Sequence, residues 1–168
     1  MIDLDTIEHN ELIIKFKNDV QVRRHENIIV NVSSPVTNGL RLSGSGNIIV
    51  ADSINVGNIN LTLSGSGSIN VHRLTATSVE ANISGSGNIS IANGSAVNED
   101  VDISGSGKVE MAGVAAQNAV THTSGSGDVK LALSKNLDAH ISGSGSVYYH
   151  GNPIISTHIS GSGKVVPF

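Results

Sequence analysis

Apolar and polar residues alternate along most of this chain, and a repeated tetrapeptide, Ser-Gly-Ser-Gly, interrupts the alternation at regular intervals. The residue just before the tetrapeptide is apolar in six of its seven copies, and Thr123 takes that position in the other. The second residue after it is apolar in every copy: Ile48, Ile69, Ile89, Val109, Val129, Val147 and Val165. A period of two is the signature of a β-strand with one buried face, so each tetrapeptide is predicted to join two strands.

The copies recur at nearly constant spacing. They start 21, 20, 20, 20, 18 and 18 residues apart, at Ser43, Ser64, Ser84, Ser104, Ser124, Ser142 and Ser160. Self-similarity with a period near 20 residues is typical of a solenoid, in which each repeat forms one turn. Recurring glycine pairs disfavour helices. An antiparallel meander is also disfavoured, because the segments between tetrapeptides are longer and vary in length. The pattern therefore predicts an all-β parallel solenoid with about 18–21 residues per rung.

The whole chain, residues 1–168, is predicted to form one solenoid domain. Residues 36–168 hold the seven rungs that carry the tetrapeptide. Residues 1–35 lack it, although segments 11–17 and 27–32 have the composition of strands. Because a solenoid end exposes unpaired backbone, residues 1–35 are interpreted as degenerate rungs, that is, as N-terminal capping strands.

The glycines of the tetrapeptide are expected to have a backbone role. A sharp corner between two strands needs positive φ, which glycine adopts without a steric penalty. The serine between the two glycines has two interpretations. It either points inward and bonds to the same serine of the next rung, or it is simply a small residue that fits.

Composition excludes several classes of function. Aromatic residues make up 2% of the chain, so the core must be aliphatic and thin. A net charge of −4 argues against a nucleic-acid-binding surface. The lack of cysteine excludes disulfides and thiolate chemistry. No apolar run approaches the roughly 20 residues of a membrane-spanning helix, so the chain is not expected to span a membrane.

One outward column carries the most suggestive chemistry. If the rungs stack in register, the position two before each tetrapeptide forms the column Arg41, Thr62, Asn82, Asp102, His122, His140 and His158. Neighbouring imidazoles would lie about 5 Å apart, close enough to share a zinc, nickel or copper ion. They could instead form a face that charges near pH 6. An exposed ladder that merely tolerates histidine is the favoured interpretation, because a flat column suits tetrahedral geometry poorly. Asp102, His122, His140 and His158 are thus only weak metal candidates, and no cofactor is expected.

Other outward columns support the register or offer weak contact candidates. Lys108 would face Asp128, and Glu110 would face Lys130, as opposite charges do on paired strands. Tyr148 falls on the same outward column as Lys130 and is a candidate sugar contact.

No catalytic constellation is found, and the chain is not expected to be an enzyme. The Gly-Ser-Gly turns lack the helix that follows a nucleophile elbow or a phosphate loop. Adjacent acids Glu99, Asp100 and Asp102 are interpreted as an exposed connecting loop rather than as a glycosidase pair. A residual polysaccharide-processing enzyme is kept as the least favoured alternative.

The recurring SGSG-x-[IV]-x-[VILM] unit, with the segment Tyr148-Tyr149-His150-Gly151-Asn152-Pro153 ahead of the last copy, resembles a known family. This family comprises the autotransporter adhesin "head GIN" domains of Bacteroidetes, and the likeness runs from about Leu12 to the C-terminus. The resemblance implies a parallel β-helix-like superhelix of two facing sheets joined by the SGSG turns. It also implies an exported protein of the periplasm, outer membrane or cell surface of a Gram-negative bacterium, with the signal segment absent from this chain.

The function expected on this basis is that of a non-enzymatic, adhesin-like binding module of the cell envelope. Its partner would be a glycan or a surface protein. The alternative is a purely structural or self-assembling envelope solenoid without a specific ligand, which would form homo-oligomers through a sheet face. Outward apolar residues Ile49, Val56 and Val166 would favour such an interface.

Overall fold

The computed structural model describes residues 2–8, 11–16 and 28–168, and within these residues it contains twelve strands and no helix. The strands are β1 (Ile2–Glu8), β2 (Glu11–Phe16), β3 (Gly39–Gly44), β4 (Asn47–Gly65), β5 (Ser68–Gly85), β6 (Asn88–Ser95), β7 (Asn98–Gly105), β8 (Lys108–Gly125), β9 (Asp128–Gly143), β10 (Ser146–Gly151), β11 (Ile154–Gly161) and β12 (Lys164–Pro167). The chain forms two compact units, Met1–Ser33 and Ser34–Phe168.

The N-terminal unit contains an antiparallel pair of strands. β1 and β2 pair with Ile2 opposite Phe16. Two residues separate them, far fewer than the dozen or more that a parallel crossover needs. Residues 28–32 form no strand, and Lys17 and Asn27 lie outside the described residues. The prediction of degenerate parallel rungs is therefore wrong for this region, and a capping role for residues 1–35 stays a prediction.

The second unit is the parallel solenoid that the repeat predicts. Its strands are hydrogen-bonded in the order β12-β10-β9-β8-β6-β5-β4-β3, with β7 pairing β5 and β8, and β11 pairing β9. The first serine of each tetrapeptide lies opposite the first serine of the next, from Ser43 to Ser160. Seven corners therefore bound about six turns of coil. We call each tetrapeptide turn a corner, and the strand segments that precede and follow it its two arms. The arms before the corners form one hydrogen-bonded ladder, and the arms after them form a second ladder that faces the first across the core.

Four of the six segments between corners are single continuous strands. β4, β5, β8 and β9 each run without interruption from one tetrapeptide to the next. The unequal repeat lengths are absorbed by register shifts between Val50 and Ser53 and between Met111 and Asn118. Such bulges confine an extra residue locally, so the corners stay aligned.

Inward side chains of both ladders form one thin aliphatic core of Leu, Ile, Val, Ala and Met. Thr121 and Thr123, two residues apart on β8, are also buried in it. Val56 also packs against the core, so its predicted outward position is wrong. Ile49 is 74% exposed as expected, whereas Val166 is half-buried.

The two glycines of each corner serve different purposes. The first has positive φ in every copy, between 108° and 132°, as the corner argument predicts. The second does not have positive φ. Where a turn precedes the corner, both glycines lie too close to it for a Cβ, and for the second glycine this is the only constraint. A Cβ at Gly107 would lie 2.5 Å from Ile83 Cγ2 and 2.7 Å from the carbonyl oxygen of Gly87.

The serine between the glycines contributes its backbone, and its side chain is exposed. The Ser106 N–H donates to the Gly85 carbonyl oxygen at 2.9 Å, and the Ser126 N–H donates to Gly105 in the same way at 2.8 Å. The inward serine ladder is therefore wrong. A ladder of backbone hydrogen bonds connects the corners instead.

Glu99 is buried in the core at 2% exposure, opposite Val79 and Ala119 of the neighbouring turns. Neither of its carboxyl oxygens has a hydrogen-bond partner among the described residues. Loss of hydration raises the pKa of Glu99 to about 8. The predicted exposed loop is wrong here, because the period-two alternation of β7 places Glu99 inside while Asp100 and Asp102 point outward.

Three single substitutions should separate the two demands on the corner glycines. Gly44→Ala introduces positive-φ strain in open space and should cost about 1–3 kcal/mol of unfolding free energy. Gly107→Ala introduces a steric clash without positive φ and should cost about as much. Gly105→Ala combines both and should cost more than either. Chemical denaturation measures all three, with Gly57→Ala, which has open space and no positive φ, as the near-neutral control. Equal stability of the Gly105 and Gly57 variants would contradict this account.

Glu99 should make stability fall as pH rises. Its folded pKa of about 8 lies above the ordinary value of 4.5, so the folded state holds the proton more tightly. The stabilisation that comes from this tighter proton binding is fully present below about pH 4.5. It is lost as pH rises towards 8, at about 1.4 kcal/mol of unfolding free energy per pH unit. Glu99→Met should remove this slope and be more stable than wild type at pH 8. Urea denaturation from pH 5 to 9 tests it. Glu80→Gln, an exposed control, should keep the wild-type slope, and parallel profiles for wild type and Glu99→Met would disprove the assignment.

Candidate functional site

A shallow groove of about 620 Å³ runs across the turns on the outer surface of the arms that precede the corners. Two rows of outward side chains line it, because residues i and i+2 of a strand share a face. One row consists of the first serine of the tetrapeptides: Ser64, Ser84, Ser104, Ser124, Ser142 and Ser160. The other row, the histidine column, consists of Thr62, Asn82, Asp102, His122, His140 and His158. The residues between the two rows also line it: Leu63, Ile83, Ile103, Thr123 and Ile141. The groove is therefore largely apolar, and polar groups recur in it at the spacing of the turns.

The histidine column stacks in the predicted register. Asp102 lies opposite His122, which lies opposite His140, which lies opposite His158. The rings of His122 and His140 have centroids 4.7 Å apart and are tilted by 7°, and those of His140 and His158 are 4.7 Å apart and tilted by 5°. The structure thus brings together all four residues that the sequence singled out. Their interpretation as an exposed ladder, with metal binding as the weaker alternative, stays a prediction.

Carboxylates lie beside the stacked rings. Asp102 Oδ1 is 3.7 Å from His122 Nδ1. Asp138 Oδ1 is 3.4 Å from His140 Nε2 and 3.8 Å from His158 Nδ1. The sequence analysis missed Asp138, although it stands two residues before His140 on β9 and must share its face. Extending the column search to the next outward position would have found it.

That next outward row carries negative charge along the groove. Glu80, Asp100, Val120 and Asp138 follow one another on successive turns. Burial raises the pKa of Asp100, the negative charge of Asp102 raises it further, nearby His122 lowers it, and Glu80 adds a smaller increase. This edge of the groove therefore has a negative potential that favours cations.

The outward face of the other ladder also carries paired polar side chains. Lys130 Nζ donates to Glu110 Oε1 at 2.9 Å, and Lys108 Nζ lies 3.8 Å from Asp128 Oδ2, which confirms both predicted pairs. The hydrogen bond to Glu110 and its charge raise the pKa of Lys130. Such exposed pairs support the register more than the stability.

Tyr148 lies half-buried on that second face, between Lys130 and Val166 of the adjacent strands. It does not line the groove. Its role as a sugar contact stays a prediction. Tyr149, on the opposite side of β10, packs against the core.

The chain is similar to a known protein family and to several solved structures. A family model described as "Putative auto-transporter adhesin, head GIN domain" matches residues 5–153. None of the curated proteins matches the chain. No helix in the described part of the chain is long and apolar enough to cross a membrane.

Three solved structures are similar. A protein described as a putative adhesin from Bacteroides fragilis superposes with a TM-score of 0.92 at 23% identity, over 99% of this chain and 76% of its own. A protein described as a putative adhesin from Parabacteroides distasonis gives 0.70 at 29% identity, over 76% of this chain and 58% of its own. A protein described as a putative lipid binding protein, also from Parabacteroides distasonis, superposes with a TM-score of 0.66 at 21% identity. The match covers 98% of this chain and 78% of its own.

The first and third of these structures show that the fold is shared. The second adds sequence similarity over three quarters of this chain. This chain spans less than two thirds of the length of that second protein. The family match covers most of the chain and agrees with the resemblance carried by the SGSG unit. The chain belongs to the family described as "Putative auto-transporter adhesin, head GIN domain".

Proposed function

We propose that this chain is a non-enzymatic, adhesin-like binding module of the cell envelope, and that its groove contacts a glycan or a surface protein. The observation that carries the proposal is the groove itself. It combines a largely apolar surface with a row of exposed serine hydroxyls and a row of imidazole, amide, hydroxyl and carboxylate groups, repeated once per turn. The names of the family and of its structural neighbours support the same class of function.

A regular row of hydroxyls suits a partner that is itself repetitive. Each serine hydroxyl both donates and accepts a hydrogen bond, as sugar hydroxyls do. Successive turns repeat these groups about every 4.8 Å. Because the backbone ladder holds the rows in place, binding orders few additional groups, and several weak contacts act together. The acidic row beside the groove favours neutral or cationic partners over acidic polysaccharides.

The geometry of the outward acids favours binding over hydrolysis. A glycosidase places two carboxyl groups on opposite sides of the scissile bond. Asp100 and Asp102 project from the same face of β7, so both would approach a bound sugar from one side. We propose that the protein is non-enzymatic. The family supports the further proposal that it is an exported module of the periplasm, outer membrane or surface of a Gram-negative bacterium.

A second candidate function is assembly with another copy of this chain. The last arm of the solenoid, β11, pairs with β9 on one side. It also exposes Ile154 at 77%, Ile155 at 38% and Ile159 at 44%. An exposed strand edge with apolar side chains is a template for pairing with another strand. Sedimentation of the purified chain distinguishes this function from that of a monomeric binder.

The groove proposal predicts that one bulky substitution in its serine row weakens binding. Saturable ligands are first identified by screening the wild-type chain against panels of neutral and acidic glycans and matrix proteins. Ser104→Arg places a long cationic side chain in the groove and should weaken binding of an identified ligand at least about tenfold. A tenfold change in Kd corresponds to a loss of about 1.4 kcal/mol of binding free energy.

The matched control for Ser104→Arg is Asn88→Arg, an equally drastic change at an exposed position on the other ladder. It should bind like wild type, and both variants should retain the wild-type melting temperature. Equal binding by both variants would reject the groove as the contact surface. No saturable hit together with concentration-dependent dimers would favour assembly.

A further inference from the structure

We propose that Asp138, His140 and His158 form a binding site for a divalent transition-metal ion, with Zn²⁺ as the expected occupant. The three residues converge because of the fold. Asp138 and His140 are two residues apart on β9 and therefore share its outer face, and His158 of β11 lies directly opposite His140. The inference does not rest on the proposed adhesive function.

The distances between the ligand atoms fit a small tetrahedral ion. Asp138 Oδ1 is 3.4 Å from His140 Nε2 and 3.8 Å from His158 Nδ1. One ligand atom from each of the three residues lies within 4.8 Å of the other two. Bonds of about 2.0–2.1 Å set the ligands of a tetrahedral ion about 3.3 Å apart. The two Asp138 distances are already close to this value. The two rings are nearly parallel, so they must tilt towards each other before both nitrogens point at one ion.

The carboxylate oxygen at the centre of the cluster, Asp138 Oδ1, is buried and accepts no hydrogen bond from any described residue. Buried oxygens without a partner are rare in folded proteins, because losing water without replacement is costly. A cation held between this oxygen and the two imidazole nitrogens would replace the missing interaction.

The donor set selects the class of ion. Two imidazoles with one carboxylate form a borderline nitrogen and oxygen set, which suits Zn²⁺, Ni²⁺ or Cu²⁺. Ca²⁺ and Mg²⁺ prefer oxygen ligands alone and are disfavoured. Three protein ligands leave the fourth position of a tetrahedral ion for water or for an oxygen atom of another molecule.

The neighbouring cluster of Asp100, Asp102 and His122 provides an internal comparison. Its ligand atoms also lie within 4.8 Å of one another, but it has one imidazole and all three residues are exposed. Two carboxylates and a single imidazole make a weaker site for a transition metal than two imidazoles do. His122 therefore supplies a matched control from the same column, stacked on His140 in the way that His158 is.

The experiment is a calorimetric titration of the full tag-free chain with Zn²⁺ alone. Wild type should show a saturable step, and Asp138→Asn and His158→Gln should each weaken it at least about tenfold, whereas His122→Gln should change it less than about threefold. No saturable step in wild type, or an equal loss in His122→Gln and His158→Gln, would overturn the proposal.

A second measurement uses only the wild-type chain, so it does not depend on a variant's folding. Zn²⁺ should shift the ring nitrogen resonances of His140 and His158 and leave those of His150 on β10 unchanged. Uniform small shifts at every histidine would reject the site. Because no glycan is present in either experiment, a negative glycan screen and a negative zinc titration remain separate outcomes.

Discussion

The close approach of successive backbone corners is the constraint on which the rest of this structure depends. The N–H of the middle serine reaches the carbonyl oxygen of the first glycine one turn earlier, for instance at 2.9 Å between Ser106 and Gly85. That contact requires one glycine with positive φ and a second glycine with no room for a Cβ. Once the corners are fixed in register, every position along the arms faces its equivalent in the next turn, and the core and the outer columns follow from the alternation of the strands.

The sequence predicts this arrangement well wherever the repeat is intact. The spacing of the tetrapeptide and the alternation around it give the parallel pairing, the histidine column and the Lys130–Glu110 pair. Predictions failed at single positions within the solenoid and in the N-terminal unit, which lacks the tetrapeptide. Glu99 was placed outside because charge was weighed above alternation, and Val56 was placed outside although it packs on the core. The β1–β2 hairpin shows that strand-forming composition alone does not determine pairing direction.

The candidate site shows how a one-dimensional repeat generates chemistry. No residue in the groove is unusual by itself, and the column search of the sequence found Asp102, His122, His140 and His158. Asp138 was missed because the search followed single columns, whereas a ligand cluster needs two adjacent outward rows and two adjacent turns. The serine hydroxyls are difficult to predict as groove residues for a related reason. The tetrapeptide is typical of a backbone turn, yet its first serine also lines the groove. The same stacking that produces a uniform wall thus produces a local cluster wherever histidine and aspartate fall on neighbouring positions.

The parallel stacking of arms also has a mechanical consequence. The hydrogen bonds between turns run from each arm to the next, so a force applied at one terminus of the solenoid loads the outermost arm first. Such an arm peels away bond by bond while the turns behind it remain intact. Each detached repeat of about 20 residues releases up to roughly 65 Å of extended chain. A solenoid built in this way lengthens in steps under tension and dissipates work as each turn detaches.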